Sequence, residues 1–69
     1  MNINTFGLNL AKKRIKLNIS AYELSLRLGK DATYVNKVEN GKIYPSLPMV
    51  FEIAKGLEIE PSELFVDEK

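Results

Sequence analysis

Residues 20–41, SAYELSLRLGKDATYVNKVENG, constrain the fold more than any other part of the chain. Ser20 is a good helix N-cap, and Glu23 three residues on completes an S-x-x-E capping box. Leu24 and Leu28 fall one turn apart on a single helical side. Gly29 stops that helix, because the residue just past a helix end often takes the left-handed conformation that glycine adopts freely. Asp31 is placed to cap a second helix with Val35 and Val38 as its buried stripe, and Gly41 closes it in the same way. Two helices of about nine residues, joined by a turn of about three, make a helix-turn-helix.

The rest of the composition narrows what such a pair can do. Sixty-nine residues make one domain, and a chain of this size buries only about 60% of its unfolded surface. It has neither cysteine nor histidine, so disulfides, thiolate metal sites, and the commonest general base are excluded. No signal peptide or membrane span is visible, and the expectation is a soluble, cytoplasmic protein with no cofactor and no metal. Net charge is only +1, but it is unevenly spread. Residues 1–45 hold eight basic and three acidic groups, a balance of +5, whereas residues 46–69 hold two basic and six acidic, a balance of −4. A basic front and an acidic back would orient a molecule facing a polyanion, although an ordinary solvated surface explains the same numbers.

The flanking segments read as helices packed around this pair. After a polar, frayed lead over residues 1–4, Asn4 or Thr5 caps a first helix running to Lys16, with Phe6, Leu10, and Leu17 facing inward. Lys12, Lys13, Arg14, and Lys16 crowd its last turns, where cations complement the negative end of the helix dipole. Lys42-Ile43-Tyr44-Pro45 is a loop. Ser46 caps a fourth helix that tolerates Pro48 in its first turn and draws its apolar side from Leu47, Val50, Phe51, Ala54, and Leu57. Gly56 and Glu58-Ile59-Glu60 mark its end, Pro61 opens a last short helix through Leu64 or Phe65, and residues 66–69 form a flexible tail. No strand pattern, repeat, or low-complexity segment is present. The predicted architecture is all-α: five compact helices over residues 1–69, with the motif at about 20–40.

Across residues 6–65 the sequence resembles the phage-repressor and Cro-like helix-turn-helix family, the XRE family. Ser25 stands at the small position early in helix 2, Gly29 at the turn glycine, Val35 and Val38 at the residues that lock helix 3, and VENGKIYPS (38–46) at the stretch after it. Each feature is weak alone, but their fixed spacing is specific. Three departures are visible. Ala21 replaces the usual glutamine and removes a side-chain phosphate contact. Ser25 replaces the usual alanine, and its hydroxyl needs a partner such as the carbonyl of residue 21. The glycine that members align with Glu58 comes earlier, at Gly56, which leaves the end of helix 4 open.

The resemblance implies a compact lambda-repressor-like DNA-binding domain whose third helix enters the major groove of double-stranded DNA. Ala32, Thr33, Asn36, and Lys37 would then contact bases: the methyl groups of Ala32 and Thr33 against thymine, Lys37 toward guanine, and Asn36 toward adenine. Phosphates would be held by Ser20 and the free backbone N–H groups that start helix 2 at Ala21. On the other side of the groove, Tyr34, Asn40, Lys42, and Tyr44 would do the same, with Tyr44 equally suited to covering the core. In this family an arginine late in helix 1 pairs with the glutamate ending helix 3, which assigns Arg14 and Glu39 to a structural salt bridge. Members usually bind as homodimers, at least on DNA. Here pairing would use the fourth and fifth helices or the Tyr44–Pro45 loop, with Leu57 and Phe65 as candidates.

The function implied is a sequence-specific transcriptional regulator, a repressor, without enzymatic activity. An antitoxin-like protein with a further protein partner, or an interaction module that keeps the fold without an operator, are the alternatives; the low net charge and Ala21 speak for the latter.

Overall fold

The computed structural model describes residues 3–67. Four α-helices, α1 (Ile3–Lys16), α2 (Ala21–Arg27), α3 (Tyr34–Glu39), and α4 (Leu47–Leu57), are followed by a 3-10 turn over Pro61–Leu64. The fifth predicted helix is thus a single tight turn, and the described residues contain no strand. Helix α1 begins two residues earlier than expected, so neither Asn4 nor Thr5 caps it. Residues 1 and 2, and residues 68 and 69 of the expected tail, lie outside the described residues.

All four helices end in the same way. Asn18, Gly29, Gly41, and Glu58 have φ values of 59°, 75°, 72°, and 60°. The next residue's N–H reaches back five positions in each case: Ile19 to Arg14, Lys30 to Ser25, Lys42 to Lys37, and Ile59 to Ala54, at 2.9–3.1 Å. This is the Schellman closure, which satisfies carbonyls the helix leaves free. Gly29 and Gly41 enter it without steric cost, and asparagine tolerates it. Glu58 is the exception, an exposed side chain of a type that seldom enters the left-handed region, held there by the closure bonds on either side of it. Helix α4 therefore ends at Leu57 with Glu58 as its C-cap, which resolves the point left open by the early glycine.

The starts of α2 and α4 are set by serines. Ser20 accepts a bond from the Glu23 N–H at 2.9 Å, and Ser46 one from the Met49 N–H at 3.4 Å. The reciprocal half of the expected Ser20 box is absent, because the Glu23 carboxylate pairs with Arg27 one turn on. At the 3-10 turn it is the Glu60 N–H that donates to the Glu63 carboxylate at 2.9 Å, while the Glu63 N–H donates to the Glu60 carbonyl at 3.0 Å.

Leu10, Leu24, Val35, Ile53, and Leu64 are fully buried and form the centre of the core, with Phe6, Val38, Val50, Ala54, and Leu57 around them. Three expectations fail here. Leu17 is 41% exposed, because α1 has ended before it. On α4 the inward stripe is Val50, Ile53, Ala54, and Leu57; Leu47 and Phe51, expected inside, are 66% and 53% exposed, and Ile53 takes their place. Leu57 is 1% exposed, which removes it from any pairing surface.

The C-terminal segment is tied to α1 by side chains. The buried Asn9 amide donates to the Leu64 carbonyl at 3.1 Å and the Val66 carbonyl at 2.8 Å. Lys13 pairs with Glu63 at 3.1 Å, the Thr5 hydroxyl donates to Asp67 at 3.0 Å, and the Phe6 and Phe65 rings meet at 5.2 Å between centroids. Both N–H groups of a buried amide are thus satisfied, as burial requires. Among the described residues no helix is long and apolar enough to cross a membrane.

Candidate nucleic-acid interface

Helix α3 is only six residues, about 9 Å long, too short to be stable by its own backbone bonds. Its position is imposed by its neighbours. Val35 and Val38 point into the core, 0% and 3% exposed. Ser25, fully buried on α2, donates its hydroxyl to the Ala21 carbonyl at 2.8 Å and accepts from the Val35 N–H at 2.9 Å. One hydroxyl therefore satisfies a donor at the start of α3 that has no partner within the helix. The Ala21 bond lies within one helix and follows from spacing; the Val35 bond depends on how two helices meet.

At the other end of α3, the Arg14 guanidinium grips the Glu39 carboxylate with two bonds of 2.7 and 3.1 Å and donates a third to the Ile19 carbonyl at 2.9 Å. Both side chains are largely buried, so the pair is screened little by solvent. The hydrogen-bonded Glu39 carboxylate raises the Arg14 pKa above its ordinary value, with burial acting the other way. The α1 backbone also approaches the end of α3: a Cβ on Gly7 would lie 2.4 Å from the Glu39 carbonyl oxygen.

The approach to α3 differs from expectation. Asp31 does not cap the helix. Its carboxylate accepts from the Thr33 hydroxyl at 2.7 Å and the Thr33 N–H at 2.9 Å, which shapes a turn two residues ahead. Thr33 is the N-cap residue, without a side-chain cap bond. The two helices are accordingly seven and six residues long, not nine, and residues 28–33 connect them. The Thr33 hydroxyl, then its N–H, hold the Asp31 pKa below its ordinary value.

The outer side of α3 is open. Thr33, Asn36, Lys37, and Asn40 are exposed, and Ala32 is half-buried. The one carboxylate on α3, Glu39, is drawn inward by Arg14. Asn40 donates to the Asn36 carbonyl at 2.8 Å and to the Asn36 side-chain oxygen at 3.2 Å, so these two amides are linked across one turn. With its hydroxyl committed to Asp31, Thr33 has its methyl group to offer. Ser20, Lys42, and Tyr44 are exposed, and Ala21 packs against the core edge with its backbone at the first position of α2. Tyr34 is half-buried with the Lys30 ammonium 5.4 Å from its ring centroid. Burial pushes the Tyr34 phenol up, so it stays a neutral donor. Lys30 lies in the turn before α3, outside any helix, so the i,i+4 rule does not reach it and the sequence carries no signal for this contact.

Comparison with known proteins agrees with this geometry. A helix-turn-helix family model matches residues 10–64. Among solved structures, the chain is similar to the restriction-modification controller protein C.AhdI from Aeromonas hydrophila. The two are 36% identical, with a TM-score of 0.85 over 91% of this chain and 96% of that one. No curated protein matches the chain at a significant level. The inward lock of Val35 and Val38, the closures at Gly29 and Gly41, and these two likenesses make the chain a member of the XRE family of helix-turn-helix proteins and a DNA-binding transcription regulator.

Proposed function

We propose that the chain is a repressor-type regulator that reads the major groove of double-stranded DNA with α3. The observation that carries this reading is the contrast between the two sides of that helix: one side is fastened by Ser25, Val35, Val38, and Arg14, while Thr33, Asn36, Lys37, and Asn40 stand open. In the proposal Ala32 and Thr33 offer methyl groups to thymine, and Asn36 and Lys37 make the base-edge hydrogen bonds. Engaging Asn36 requires the Asn36–Asn40 bond to give way, which frees Asn40 for a phosphate. Ser20 and the Ala21 N–H hold phosphates at one edge; Tyr34, Lys42, and Tyr44 hold them at the other. Arg14 and Glu39 orient α3 and read nothing themselves.

One short helix in one groove selects weakly, so the proposed working form on DNA is a homodimer reading half-sites about 34–36 Å apart. Leu47 and Phe51, one turn apart on α4, and the exposed Tyr44 before it supply apolar surface for pairing. The likeness to a restriction-modification controller protein supports a regulator of a small operon, acting in the cytoplasm on the nucleoid, without catalytic activity.

Titration with duplex DNA at several salt concentrations tests the reading. Log affinity should fall linearly with log salt. Lys37→Ala should relax base preference, whereas Lys42→Ala should weaken all sequences alike and reduce the salt slope by about one. Absence of binding at low salt to DNA upstream of the protein's own coding sequence would favour the interaction-module reading instead.

A further inference from the structure

A glycine in the interior of a helix costs about 1 kcal/mol against alanine, so its presence asks for a reason. Gly7 lies in the second turn of α1 and is buried. A Cβ there would meet the Glu39 carbonyl oxygen at 2.4 Å, its carbon at 3.0 Å, and the Glu39 Cα at 3.1 Å. All three are backbone atoms, so no side chain can swing aside. Relief to ordinary contact at 3.4 Å needs α1 and the end of α3 to part by about 1 Å. Two turns along the same helix, Arg14 holds the carboxylate of that same residue. The last residue of α3 is therefore seated twice on α1, by its backbone against Gly7 and by its side chain on Arg14.

One point of attachment leaves a short helix free to pivot, whereas two fix both its distance and its rotation. At the far end of α3, Ser25 holds the Val35 N–H. We propose that Gly7 is a specificity-determining positioning residue: its lack of a side chain sets the pitch at which α3 meets base pairs. The assignment rests on the reading of α3 as the base-contacting helix. Its consequence differs from that of a general packing residue. A tilt of the helix end by an ångström spoils bidentate hydrogen bonds to base edges, which depend on alignment. Contacts to phosphates from long side chains tolerate it, because they act as point charges on a uniform backbone.

The test uses the full chain and two duplex probes of equal length, one selected by the wild-type chain from a random pool and one of arbitrary sequence. Gly7→Ala should lose about tenfold or more in affinity for the selected duplex and stay within about threefold for the arbitrary one. The ratio of the two affinities is the readout, because lost stability alone does not move it in the folded fraction. Gly56→Ala, whose Cβ would meet only the Leu24 side chain at 3.4 Å, and Ile53→Val, which loosens the core, should leave that ratio unchanged. A ratio unchanged in folded Gly7→Ala, or lowered equally by Ile53→Val, overturns the assignment. Where Gly7→Ala is too unstable, it is measured in a Glu58→Gly background, which removes the left-handed glutamate; a chain unfolded in both backgrounds makes Gly7 a folding residue and also overturns it. A wild-type chain that selects no duplex refutes base reading by α3, and the Gly7 assignment falls with it.

Discussion

Helices α3 and α4 are held by different means. The longer α4 buries Val50, Ile53, Ala54, and Leu57 and is anchored to the rest mainly by apolar area. The six-residue α3 buries two valines, and directional contacts do the rest: the Ser25 hydroxyl at one end, Arg14 and the Gly7 backbone at the other. Apolar burial is strong but indifferent to direction, so it fixes that a helix is present better than it fixes the helix's angle. Hydrogen bonds and ion pairs add less stability but demand geometry. The helix whose outer side stands open is the one with the directional contacts.

The largest expected effect comes from α4. Ile53→Ala removes a fully buried side chain and should cost about 2–5 kcal/mol in urea unfolding. Affinity for DNA per folded molecule should stay as it was. If that affinity falls as far as it does for α3 variants, the division between anchoring and aiming is wrong. Arg14→Ala comes next, at roughly 1.5–3 kcal/mol for lost hydrogen bonds to a charged group. It should lower stability and DNA affinity together; weaker binding with an unchanged melting temperature would refute the orienting role.

A smaller effect, of opposite sign, is expected at Glu58. Relief of about 1–2 kcal/mol of left-handed strain, less about 0.5–1 for the freer unfolded glycine chain, leaves Glu58→Gly more stable by roughly 0.5–1 kcal/mol. Its melting temperature should rise by about 2–8 °C with no change in binding, measurable by calorimetry. The smallest effect is at Asp31. Its folded pKa lies below its ordinary value, so its stabilising contribution is whole above about pH 4 and is lost as pH falls through the folded value. Glu63, lowered by the Glu60 N–H and by Lys13, shifts stability in the same direction. Asp31→Asn should therefore flatten part, not all, of the fall in urea midpoint below pH 4.

The punctuation of the fold was legible because it is local. Ser20, Gly29, Gly41, and Ser46 each act within five residues of themselves, and all four stand where expected. What failed depended on distant partners. Leu47 and Phe51 share a helical spacing with Val50, Ala54, and Leu57, and only the elements that α4 packs against, the 3-10 turn among them, decide that Ile53 faces in while they face out. Asp31 is a good cap by type, yet Thr33 lies nearer and takes its carboxylate. For the candidate interface, residue type and spacing suffice to pick out the open side of α3. The second bond of Ser25 and the approach of Gly7 are properties of two helices meeting, and no single stretch of sequence contains them.

The Asn9 amide binds carbonyls 55 and 57 positions later in the chain. During synthesis the first helix leaves the ribosome early, but its Asn9 amide meets these carbonyls only after residues 64–66 follow. A nascent chain that has not yet reached residue 64 thus lacks this stitch, whereas the partners that fasten α3 all lie before residue 40 and emerge earlier.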